Sequence, residues 1–292
     1  MSSVTVIREI DPSARVAPTA VVGPYCVVGP HVTIGPGTVL QRRVSVKGHT
    51  AIGSGNFIAE GCVLGEEPQD LKYAGGTTFL MIGHRNRFGR RVTAHIGTES
   101  GGYLTRIGDD NVLMDECHIA HDCFVDDHAT LGRIVLLAGH IRVNTGAVLE
   151  DMSAVDSFVT IGPYARVGRR TPVRRDVPPF TCFIGQGSDI TPAVRGIHEE
   201  GIAAAHLGPQ EQKELRQALT ELFIDEGALQ TKIEQLVNLG VEGKVAELCE
   251  FCKRSLQGVY GRHRELYRGK IPPEVDQFLP HEWRQTIRRA LV

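Results

Sequence analysis

The sequence predicts a β fold, a parallel β-helix of hexapeptide repeats followed by a small α-helical C-terminal domain. Three observations predict it. A strict period of six runs through much of the first two-thirds of the chain. Aromatic residues are scarce, at 6%, while glycine numbers 33 among 292 residues. Beyond about Pro209 the apolar spacing turns helical.

The repeat falls into register from Ile10 as IDPSAR, VAPTAV, VGPYCV, VGPHVT, IGPGTV, LQRRVS, VKGHTA, IGSGNF and IAEGCV. The first place is always Ile, Val or Leu, the second is often Gly, and the fifth is usually small. Neither the helical period nor the simple strand period accounts for six. A solenoid with three hexads per coil does: the aliphatic residue fills the interior and the small fifth residue fits a crowded slot beside it. Gly at the second place reads as relief of backbone strain at the corner. The frame breaks after Leu64, resumes at IGHRNR from Ile82, breaks again after His95, and runs without slip from Ile107 through VGRRTP. Consecutive prolines in DVPPF then stop it.

This places the β-helix at 1–190, with loop insertions at 65–81 and 97–106, and the α-helical domain at 191–292. Cys26, Cys62, Cys117 and Cys123 all take the fifth place and read as small buried hydrophobes. In the helical part, Leu215, Leu219, Leu222 and Phe223 form one apolar stripe. Leu229, Ile233, Leu236 and Val237 form another, and Val245, Leu248, Cys249, Cys252 and Leu256 a third. The two cysteines of CEFC lie on that third stripe, which reads as core packing rather than zinc.

Lys and Arg total 32 against 34 Asp and Glu, a net charge of −2 with no block of either sign. That gives no electrostatic case for nucleic acid. No run approaches the ~18 apolar residues of a membrane span. The N-terminus has no basic segment followed by an apolar one, so no signal peptide is read. Seven scattered cysteines suit reduced thiols in a cytoplasmic protein.

Loops that leave a solenoid often carry function. The first insertion groups Asp70, Lys72 and Tyr73, which suit a grip on sugar or phosphate, or a solvated loop. In the second, Gly101-Gly102 suits either a close backbone approach to a ligand or a plain turn. The histidines are more telling. His121 and Asp122 take the third and fourth places of IAHDCF, read as facing outward, and His118 ends the preceding hexad. His140, in LAGHIR, lies about one coil further along, and His95 falls on the other side. Four histidines on one wall point to a site. Metal-binding β-helices of the gamma carbonic anhydrase type resemble this scaffold but space two ligands five apart. Here the close pair is three apart, and Asp122 directly after His121 suits a general base held by a carboxylate.

QDLKYAG, HIAHDC, LAGH and DVPP, in that order on hexapeptide coils with a helical tail, resemble the UDP-N-acetylglucosamine acyltransferases that begin lipid A synthesis. VGPHV, GHT, RSLQG and the GG-LT loop also fit, so the resemblance spans nearly the whole chain. It implies a left-handed β-helix, a homotrimer with sites between subunits, an acyl carrier protein as donor of a hydroxyacyl chain, a UDP-sugar acceptor and no cofactor. By position it makes His121 the base, Asp122 its partner and the Gly139 amide the oxyanion donor. Asp70 and Lys72 would contact the sugar nucleotide, Gln69 would lie near the acyl group, and His118, His140 and His95 would line the sugar and phosphate pocket. Three departures stand out. Asp156-Ser157 replaces a His-Gln pair. Glu199 and Glu200 of GIHEEG stand where arginines would grip the diphosphate. Arg169 stands where a small residue sets acyl length, which predicts a short chain. These departures keep two alternatives in view, an N-acyltransferase of a nucleotide-linked amino sugar and a catalytically silent binding module.

Overall fold

The computed structural model describes residues 8–185, 191–258 and 276–290. The expected domain boundary at residue 190 and the first seven residues lie outside these segments. The chain winds as a left-handed parallel β-helix of triangular section. Among the described residues its three faces hold nine, eight and ten strands. Most strands are two residues long because each hexad spends its other residues turning a corner. Partners on successive coils are 18 residues apart, as Val27 with Ser45 and Leu136 with Ala154. The spacing widens to 30 where Val63 pairs with Thr93, and to 25 where Thr93 pairs with His118. Those are the two insertions. The excursions themselves run from 67 to 78 and from 96 to 103, since the flanking residues extend strands Val63–Glu66, Phe79–Ile82 and Leu104–Ile107.

First-place residues such as Val28, Ile34, Leu40, Ile58, Leu64, Leu131 and Leu149 form one continuous core. Fully burying each of them is worth about 1.5–3 kcal/mol. The fifth-place cysteines Cys26, Cys62, Cys117 and Cys123 are completely buried. Burial pushes the Cys62 and Cys117 thiols up to about 12, so they are inert packing groups. The fifth place also holds an asparagine ladder. The Asn86 and Asn111 amides donate to Oδ1 of Asn56 and Asn86 at 2.9 and 2.8 Å, and Ala129 N donates to Asn111 Oδ1 at 2.7 Å. Buried amides are tolerated there because each side-chain oxygen finds a donor on a neighbouring coil, although Asn111 Nδ2 has no partner among the described residues.

The second-place glycines have a different cause from the one expected. Left-handed φ falls on the fourth place, as at Tyr25, His31 and Arg43. Most second-place glycines are instead pressed by the next coil: a Cβ on Gly35 would lie 2.7 Å from the Gly53 carbonyl, although Gly29 has ordinary room.

After the coils, strand Ala193–Ile197 pairs antiparallel with Thr181–Ile184, so the region expected to be helical opens with a strand. Helices α1 (Glu199–Ala204), α2 (Pro209–Phe223), α3 (Leu229–Asn238) and α4 (Gly243–Leu256) follow. The last three bury the predicted stripes, with Cys249 and Cys252 inside and Val237 and Leu256 exposed at the margin. A last helix, α5 (His281–Ala290), returns to the β-helix. Among the described residues no helix is long and apolar enough to cross a membrane.

Candidate active site

One edge of the prism, between the first and second faces, collects the features singled out in the sequence. Both insertions leave there. His121-Asp122 sits there between strands His118–Ile119 and Phe124–Val125, and Gly139-His140 sits one coil on, between Leu136–Leu137 and Arg142–Val143. Asp122 and His140 are at the left-handed fourth place, with φ of 60° and 66°. Asp and His accept that conformation better than most side chains.

The pair does not face solvent as expected. Asp122 is fully buried and His121 is 8% exposed, because the second insertion roofs the corner. Thr98 donates to Asp122 twice, from its amide to Oδ1 at 2.9 Å and from Oγ1 to Oδ2 at 2.7 Å. Thr105 Oγ1 accepts from the Asp122 amide at 2.7 Å. Gly101 is glycine because a Cβ there would fall 2.0 Å from the Asp122 carboxylate carbon. The double glycine therefore serves the roof. Asp122 Oδ2 in turn meets His121 Nδ1 at 2.8 Å. With Nδ1–H donated to the carboxylate, Nε2 is left as the basic nitrogen, the tautomer a general base needs.

Gly139 lies against that ring: a Cβ on it would sit 2.5 Å from His121 Cε1 and 2.8 Å from Nε2. The His140 ring stands perpendicular to His121 at 5.2 Å and is stacked on Phe158 at 4.5 Å. His95 and His118 form a second pair at 5.2 Å. His95 Nδ1 meets the Glu67 carbonyl at 2.6 Å and His118 Nδ1 meets Thr93 Oγ1 at 2.8 Å. Burial, helped by His95 and His121, holds the His118 imidazole below its ordinary value, so it stays neutral at pH 7.

The first insertion folds toward this edge. Asp70 brings a carboxylate oxygen within 4.8 Å of ring nitrogens of both His121 and His140. Such a trio could hold a divalent cation. Since His121 Nδ1 is committed to Asp122, a cation would take Nε2, the same atom a base uses, so the two roles exclude each other. Asp70 Oδ1 also accepts from the Lys72 amide at 2.9 Å, while Gln69 and Lys72 are exposed on the same loop.

Three expected site residues lie elsewhere in the protomer. Arg169 is on the edge between the third and first faces, its guanidinium 3.5 Å from Asp151. It therefore cannot line a path running from His121 within one chain. Glu199 binds Arg216 at 2.9 Å and Glu200 lies 3.7 Å from His198, all in the tail that follows the coils. Asp156 and Ser157 are exposed beside Phe158, with Asp156 3.7 Å from Arg174. Thr98, Thr105 and Phe158 were not foreseen. The only hint of Thr98 was the insertion that contains it.

The chain is similar to known proteins along most of its length. Residues 176–260 match a family model described as UDP-N-acetylglucosamine O-acyltransferase, domain 2. An acyl-(acyl-carrier-protein)–UDP-N-acetylglucosamine O-acyltransferase of Synechocystis is 39% identical over 229 residues, 78% of this chain and 79% of that one. The enzyme of that name from Nautilia profundicola is 35% identical over 208 residues, 71% of this chain and 79% of its own. Among solved structures, the UDP-N-acetylglucosamine acyltransferase of Francisella novicida superposes with a TM-score of 0.79 at 28% identity, covering 87% of this chain and 91% of that one. The UDP-N-acetylglucosamine O-acyltransferase of Moraxella catarrhalis gives 0.78 at 35% identity, covering 85% and 95%. On its coils, its histidine edge and these relatives, the chain belongs to the UDP-N-acetylglucosamine O-acyltransferase family.

Proposed function

We propose that the protein transfers an acyl chain from acyl carrier protein to a hydroxyl of UDP-N-acetylglucosamine, the first step of lipid A biosynthesis. The observation that carries this is the Thr98–Asp122–His121 relay, which leaves His121 Nε2 as the basic atom beside Gly139. His121 Nε2 takes the proton of the sugar hydroxyl as its oxygen attacks the thioester carbonyl. Asp122 stabilises the imidazolium that forms. The Gly139 amide donates to the oxyanion, the role that fixed backbone donors perform well. As the tetrahedral intermediate collapses, the C–S bond breaks and His121 returns the proton to the carrier thiolate. Asp70, beside both histidines, orients the sugar. The close fit of this relay favours an active enzyme over a silent binding module.

The reading includes a homotrimer working in the cytoplasm. In the single chain Leu71, at the tip of the first insertion, is fully exposed, and Leu136 points outward from the first face next to His118. A second copy against that face would cover both and wall the His95–His118 pair. Arg169 of one copy would then bear on an acyl chain only where it approaches the edge of another.

Incubating the purified protein with 3-hydroxyacyl carrier proteins and UDP-N-acetylglucosamine tests the reading. Mass spectrometry should find a mono-acylated UDP-sugar that requires both substrates. Hydrolysis of the thioester without sugar acylation, or acylation only of an amino sugar, would contradict it.

A further inference from the structure

The outward positions of a β-helix face are ordinarily polar, because water lies beyond them. On the second face, around the insertions, several are apolar and buried. Phe79, Tyr103, Leu104 and Phe124 are 0–5% exposed although they lie outside the core of the coils. The segment 276–290, which includes α5, covers them. Trp283 stacks on Phe79 with ring centroids 4.3 Å apart. Phe278 lies under the Arg106 guanidinium at 4.3 Å and 6.5 Å from Phe124. Leu279 and Ile287 are each 1% exposed in the same cluster. The segment also lies beyond residue 260, where the match to the family model ends.

What it covers is the footing of the catalytic roof. The Phe79 amide donates to the Tyr103 carbonyl at 2.8 Å, and the Phe79 carbonyl accepts from Gly97 at 3.1 Å, so Phe79 closes the neck of the second insertion. Inside that neck Tyr103 N donates to the Thr98 carbonyl at 2.8 Å, and Thr98 holds Asp122. Phe124 follows Asp122 by two residues. We infer that the C-terminal segment is a strap that positions the catalytic carboxylate. By pinning Phe79, Tyr103 and Phe124 from outside, it keeps Thr98 in place over Asp122 and so keeps His121 oriented. Trp283 and Phe278 are positioning residues: they act through the roof and touch no reacting atom. The inference rests on the acyltransferase reading for its kinetic consequence, but the clamp itself is independent of that reading.

The experiment uses the full chain with Trp283→Ala, and with Phe278→Ala as a second variant that reaches the roof through Phe124 instead. Hydrogen exchange of the amides at 97–103, which needs no activity, should quicken in both. Steady-state kinetics should show kcat falling by about tenfold with KM for the UDP-sugar within twofold, and Trp283→Phe should restore kcat. In an Asp122→Asn background, Trp283→Ala should change kcat less than twofold, because the group being positioned is already disabled. The strap is overturned by unchanged exchange at 97–103, by wild-type kcat in both alanine variants, or by equal losses in the two backgrounds. An inactive wild-type protein whose exchange at 97–103 still responds would overturn the acyltransferase reading and leave the clamp standing.

Discussion

At the scale of single residues, the site depends on one buried carboxylate. Asp122 has no solvent to stabilise its charge, so the two donors from Thr98 and the His121 Nδ1–H do so. A hydrogen bond to a charged group contributes about 1.5–3 kcal/mol. Thr98→Val removes the Oγ1 donor at nearly constant volume and leaves a buried carboxylate oxygen short of a partner. It should lower kcat by about tenfold, with the coils still folded by circular dichroism, while Thr98→Ser should retain most activity. The His121-Asp122 pair was legible in the sequence because the hexad register places it at a corner. Its burial was not, because Thr98 lies 24 residues upstream inside an insertion that has no register. Gly101 shows the same limit: its glycine is explained by an atom of Asp122, not by its neighbours in sequence. Arg169 is a different case. It lies eight hexads beyond His121, which is not a whole number of three-hexad coils, so it falls on another edge.

At the scale of elements, short strands cannot hold a fold singly, and stacking supplies what they lack. The first-place aliphatics showed this in the sequence through their period alone. The asparagine ladder was not legible, because Asn at the fifth place is small enough to pass as filler and its partners are on other coils. Asn86 is the central rung. Its Nδ2 donates to Asn56 Oδ1 and the Gly108 carbonyl, and its Oδ1 accepts from Asn111 N. Asn86→Ala would strand the Asn111 amide and the Gly108 carbonyl on the following coil, at about 1–3 kcal/mol each, while Asn56 Oδ1 keeps the backbone amide of residue 86. The expected loss is about 3 kcal/mol, seen as a lower denaturation midpoint, with activity near wild type at temperatures where the protein stays folded. The terminal strap also escaped the sequence reading, since its apolar residues find their partners some 150 to 200 positions earlier in the chain.

At the scale of the whole molecule, the tail carries Glu199 and Glu200 where the resemblance to the family implies arginines that would grip a diphosphate. Glu199 is occupied by Arg216, whereas Glu200 is largely exposed, so on the proposed reading Glu200 would bear more directly on a diphosphate bound at the tail. Glu200→Arg should tighten binding of UDP-N-acetylglucosamine several-fold in calorimetry. The gain should shrink between 50 and 300 mM salt, as Debye screening requires (about 8 Å at 0.15 M). Looser binding would mean that the tail holds the nucleotide by other groups. The central claim is that His121, held by Asp122, is the base of an acyl transfer. The most direct measurement is the rate of acyl transfer to UDP-N-acetylglucosamine by His121→Ala beside wild type, with both proteins shown to have the same assembly size. Losing a general base costs about 10²–10⁴ in rate. The account predicts a loss in that range with the assembly unchanged, and a His121→Ala protein within a fewfold of wild type would contradict it.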